Sequence, residues 1–194
     1  ERDAQTPLIA MAWHTAAESA REARVMEVLL SILGDGDSSR LYQRLVEKEQ
    51  AAVDVGTQFD AGFDPGLAWV YAVLPPGGDV TRTERIIDEE IARLAQEGPT
   101  SVEITKARNQ ALVGFWHGLE TISGKAQALG QYEVFHGDYR KLFGAPAEYE
   151  SVTAEDVRNA AASVLRRENR TVGVREPKAE PGAEPQAPAQ GGAK

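Results

Sequence analysis

The 194-residue sequence sets 21 Lys and Arg against 30 Asp and Glu, a formal charge of −9, and 42% of it is hydrophobic, enough for one ordinary domain with a real core. No basic cluster rises above this acidic background, which argues against nucleic acid and anionic membrane surfaces as ligands. No apolar run approaches the ~20 residues of a bilayer span, and the absence of cysteine excludes a disulfide framework or a thiolate site.

The first element, "TPLIAMAW" (6–13), is short, apolar and bounded by Pro7, and reads as a strand buried on both faces. From Glu18 to Leu33, Val25, Leu29, Ile32 and Leu33 form the apolar stripe of a helix that Gly34 and Gly36 stop. Asp37 or Ser38 then caps a second helix whose Leu41, Tyr42, Leu45 and Val46 share one face. A hairpin follows. Val53, Val55, Thr57, Phe59, Ala61 and Phe63 alternate with Asp54, Gly56, Gln58, Asp60 and Gly62, and "DPG" turns the chain into "LAWVYAVL". A strand pair dry on one side and wet on the other predicts an antiparallel sheet with helices on its dry face.

The remainder reads as mostly helical. Thr81 with Glu84 and Thr100 with Glu103 fit capping boxes, and Gly118 is expected to interrupt the second of these helices. Another helix runs from about Thr121 to Phe135. In "SVTAEDV", Thr153 and Asp156 form a further capping box and Val152 staples to Val157. "RTVGV" (170–174) closes with a strand. The expectation is a single α+β domain over 1–175, a mainly antiparallel sheet flanked by helices. The Pro-, Ala- and Glu-rich stretch 176–194 reads as a disordered tail.

"FWHGLET" (115–121) would spell the inverted zinc-protease signature H-x-x-E-H if Thr121 were histidine. Threonine cannot replace the second nitrogen ligand, and neither His14 nor His136 lies at a metal-ligand spacing, so His117 reads as a surface or interhelical residue at a helix break. Ser38, Ser39 and Ser123 lack a nucleophile elbow. "GDGDSS" (34–39) lacks the Walker lysine and the twelfth-position Glu of an EF-hand, so it reads as a plain connector. Asp88, Glu89 and Glu90 read as a solvated helix face.

One stretch is more specific. "LLSILGDGDSSRLYQRLVEKEQAAVDV" (29–55) resembles the pitrilysin/insulinase-type zinc metallopeptidases, which include the mitochondrial processing peptidases. There a helix ends in a Gly-rich turn and S-S-R-L-[YF]-x-x-L opens a second helix before a strand; here Ser39, Arg40, Leu41 and Tyr42 carry that motif. "QTPLIAMAWH", "LPPGG", "VTAEDVRNAAASVL" and "RTVGV" match the supporting frame from Thr6 to about Pro177.

The resemblance is to the C-terminal, non-zinc domain of a subunit, processing-peptidase-like in fold. It implies no metal or catalytic residue in this chain and no activity from it alone. Zinc is expected in an N-terminal domain of the parent protein. That domain, a homologous partner subunit and unfolded peptide substrates are the implied partners, and a bacterial periplasm is the leading expectation for location. Non-catalytic halves that assist cleavage carry L-R-E-x-x-G-L-A-Y, whose Arg donates to the substrate and whose Tyr stabilises an oxyanion. "LVEKEQAAV" puts Val46 and Val53 at those two positions, and neither can donate a hydrogen bond. The chain is therefore read as belonging to a zinc-bearing subunit whose partner supplies the Arg/Tyr pair. Two alternatives are a structural or peptide-binding homologue without peptidase activity and a free-standing interaction module. Arg40 is expected either to bond backbone carbonyls near its helix start or to face solvent. Leu67, Trp69, Tyr71 and Val73 share a face read first as core and second as the wall of a peptide chamber. Phe115 and Trp116 read as core or inter-domain packing.

Overall fold

A computed structural model describes residues 6–177. All of the predicted tail except its first two residues lies outside them. Strands β1 (Leu8–His14), β2 (Asp54–Asp60), β3 (Leu67–Val73) and β4 (Arg170–Arg175) form one antiparallel sheet in the order β2-β3-β1-β4. The β2–β3 pair is the expected hairpin, in the register Asp54↔Val73 to Asp60↔Leu67.

Strand alternation sorts the sheet into two unequal faces. Ile9, Met11 and Trp13 of β1, Ala68, Val70 and Ala72 of β3, and Val55 of β2 are buried under helices α1 (Arg21–Gly34), α2 (Val80–Glu97) and α6 (Ala154–Val164). Leu8 and Ala10, on the other face, are only half-buried. The expectation of a β1 buried on both faces is thus corrected: on the second face Ala12 alone is buried, and among the described residues the helices pack on the first. Helix α1 sits close over β2. A Cβ at Gly34 would lie 2.5 Å from Thr57 Cγ2, so glycine is what permits the approach, and Thr57 Oγ1 donates to Leu30 O at 2.9 Å.

The capping boxes at Thr100–Glu103 and Thr153–Asp156 form, starting α3 (Ser101–Gly118) and α6, and Val152 and Val157 are both fully buried. The Thr81–Glu84 expectation fails. Helix α2 starts earlier, its orphan donors met by Asp79, which accepts from Arg82 N at 2.9 Å. A carboxylate just before the first turn also suits the helix dipole. That leaves Glu84 to pair with Arg170 of β4 at 2.6 Å. The Asp88–Glu90 run is corrected too. Glu90 is 1% exposed, held by Arg44 at 3.0 Å and Arg93 at 2.7 Å, while Asp88 pairs with Arg167 and Arg170. Buried carboxylates persist because each has a guanidinium beside it.

Helix α4 (Ile122–His136) is where "TISGKAQALGQYEVF" places it, capped by Thr121. A 3₁₀ turn at Tyr139–Gly144 and the short helix α5 (Ala145–Ser151), with Pro146 in its first turn, were not anticipated. They carry Leu142 and Ala145, which join Tyr132 in a small second core beside α3 and α4.

Candidate functional site

The uncovered sheet face is the most distinctive surface of the domain. Rows across it follow from the register: Asp54, Val73, Leu8 and Arg175; then Gly56, Tyr71, Ala10 and Gly173; then Gln58, Trp69, Ala12 and Thr171; then Asp60, Leu67 and His14. Trp69 and Tyr71 are therefore the large side chains of the middle rows, flanked by small residues. The reading of these two as core is corrected: they stand opposite the helix layer, are half-buried, and do not join the packed core. Gly56 gives Tyr71 its place. A Cβ there would meet the phenol Oη at 2.4 Å, so the ring lies over the bare backbone of β2. Trp69 Nε1 has no acceptor among the described residues.

Beside this face is the junction that leads into β2. Residues Tyr42–Lys48 form a π-helical turn, with the Glu49 amide donating to Arg44 O at 2.9 Å. Such wide turns often mark functional sites. The next residue, Gln50, has φ 48°, left-handed for a non-glycine side chain. The two valines fall in different surroundings: Val46 packs partly against the core, while Val53 is 57% exposed.

The S-S-R-L-Y motif is structural in its contacts. Ser39 and Leu41 are buried and Tyr42 is partly so. Arg40 reaches away from its own helix start and clamps the α2–α3 connection. Nε and Nη2 hold both carboxylate oxygens of Glu103 at 2.7 and 2.9 Å, and Nη2 also donates to Gly98 O at 3.0 Å. It does bond a backbone carbonyl, but one 58 residues away. That paired donation, with Thr100 N as a further donor, holds the Glu103 carboxyl down at about 2.

The zinc-like run splits between two helices. Helix α3 ends at Gly118, His117 Nδ1 lies 2.9 Å from Glu120 at an exposed end, and Thr121 accepts from Gly124 N as the cap of α4. The signature needs one continuous turn to present both ligands. His14 sits at the end of β1 and His136 at the end of α4. Among the described residues no three His, Cys, Asp or Glu gather as a metal site.

The profile of the family described as "Peptidase M16 inactive domain" matches residues 1–111. The chain belongs to that family. It is also 31% identical over 167 residues to an uncharacterized zinc protease of Mycobacterium leprae, a match spanning 85% of this chain and 37% of the relative. Among solved structures it is similar to the inactive peptidase domain of a protein described as a zinc protease from Bordetella parapertussis. That likeness has TM-score 0.83 and 28% identity and covers 95% of this chain and 97% of that one. A more distant likeness, 24% over 158 residues, is to human mitochondrial cytochrome b-c1 complex subunit 2. The chain spans little more than a third of the curated relatives it matches. The expected α+β class and the non-zinc domain assignment therefore stand, and no metal site is needed to explain either.

Proposed function

We propose that this domain is a non-catalytic wall of a zinc-dependent metallopeptidase, helping to enclose and position peptide substrates while another part of the parent protein holds the zinc. The observation that carries this reading is the asymmetry of the sheet. A free-standing domain has no reason to leave Trp69 and Tyr71 across a face that no helix covers. An inward surface has one. The aromatic side chains offer contact area to apolar side chains of a peptide. The small residue Ala10, beside Tyr71 on β1, leaves room for an extended chain.

Hydrogen-bond assistance to the reaction belongs to a partner subunit in this reading, because Val46 and Val53 carry no donor. Cleavage of an unfolded peptide by the full parent subunit, alone and with its partner, is the test. Activity should need both and vanish with a chelator; chelator-insensitive cleavage by these 194 residues alone would refute it. A second reading, a structural subunit without peptidase activity, is favoured by the similarity to the cytochrome b-c1 subunit. It predicts a stable complex that leaves the peptide intact.

A further inference from the structure

Helix α4 has the composition of a buried helix and the surroundings of an exposed one. Lys125 and Glu133 are its only Lys, Arg, Asp or Glu, in a chain of which 26% is charged. Its apolar residues are not confined to one side, since Tyr132 and Val134, two positions apart, point in nearly opposite directions. A helix that is apolar all round belongs in an interior.

The domain covers only one flank of it. Tyr132, with Ala128 and Leu129, packs on Leu142, Ala145 and the end of α3. Ile122, Ala126, Gly130 and Val134 follow one another at four-residue spacing along another flank, and all four are exposed, Ile122 by 88% and Val134 by 54%. Ser123, Gln127 and Gln131 beside them are exposed and uncharged. A Cβ at Gly130 would meet nothing within 4 Å, so the backbone itself lies open there. The adjoining end of α3 adds the exposed Val113 and Trp116.

A membrane surface is a poor cover for this flank. Helices that lie in a bilayer interface set a sharp apolar face against one rich in Lys and Arg, and α4 has neither. Protein suits it better, and the relatives show where that protein would come from. The chain spans little more than a third of their length, so most of such a polypeptide lies outside this domain.

We infer that α4 is the element on which the rest of the parent polypeptide docks, through an apolar, uncharged surface laid along Ile122, Ala126, Gly130 and Val134. Covering that flank strips water from no charged side chain, and its alanine and glycine let a facing element approach closely. This flank is separate from the uncovered sheet face and independent of the peptidase reading.

Hydrogen exchange is compared between the 194-residue chain and the full-length parent, both kept dilute. The amides of 125–134 should exchange at least about tenfold more slowly in the parent; equal rates would overturn the inference. A photo-crosslinking residue at position 126 of the parent then identifies the cover. Its adduct should lie within one polypeptide and map outside this domain. An adduct joining two copies, or none, would contradict the docking. Ala126→Glu should leave the melting temperature of the 194-residue chain within about 1 °C, because the position is exposed, and should return exchange in the parent to the rate of the isolated chain. Ala92→Glu, equally exposed on α2, should leave the slow exchange in place. Slow exchange that survives Ala126→Glu, or is lost with Ala92→Glu as well, would refute a cover specific to α4.

Discussion

The two faces of strand β3 differ in a way that composition alone would not suggest. Toward the helices it presents Ala68, Val70 and Ala72, small and fully buried; away from them it presents Leu67, Trp69, Tyr71 and Val73, larger and half-exposed. Helices that pack closely need small residues beneath them, so the tightest part of the sheet carries the least bulk. Bulk on the uncovered side has no such purpose. The contrast between the faces is what supports the proposed inward surface.

Substitutions across the two faces sharpen this contrast. Trp13→Ala, on the helix-covered face, should cost about 3–5 kcal/mol in denaturant unfolding because it empties a packed core. Trp69→Ala, of the same chemistry as the first change, should cost less, about 2–3 kcal/mol, because part of the ring stays in water in the folded state. A loss as large as that of Trp13→Ala would mean that the open face is core after all. Gly34→Ala should cost about 1–3 kcal/mol, since the added methyl meets Thr57 across the α1–β2 contact. Gln50→Gly should stabilise by about 0.5–1 kcal/mol by relieving the left-handed backbone. Val53→Tyr should change stability by less than about 0.5 kcal/mol, because the position is exposed.

Acid unfolding tests the clamp between the motif and α3. Glu103 has a folded-state value of about 2 against an ordinary 4.5, so its contribution is complete above 4.5 and is lost as pH falls toward 2. The melting temperature should decline through that window, and Glu103→Gln should flatten that part of the decline. An unaltered acid profile in the variant would show that Arg40 does not depend on this carboxylate.

Much of the fold was legible because its signals are local. Alternation in 53–63 set out β2, and the Thr100 and Thr153 boxes marked helix starts that the structure keeps. The start of α2 was misplaced because Thr81 and Asp79 offer the same chemistry two residues apart, and only tertiary demand for Glu84 by Arg170 separates them. Trp69 and Tyr71 were misassigned because an alternating strand does not say which face the helices choose. Arg40 was half right: a guanidinium seeking carbonyls can be guessed, but a partner 58 residues away cannot. The role of Gly56 beneath Tyr71 carries a signal only once the register is known.

The most direct measurement places a photo-crosslinking residue at position 69 in the full-length parent protein, with the same probe at the exposed Arg85 of α2 as control. On illumination with an unfolded peptide, position 69 should form adducts with the peptide or with the companion part of the parent, and position 85 should not. Adducts from position 85 with none from position 69 would mean that the bare side of the sheet looks outward.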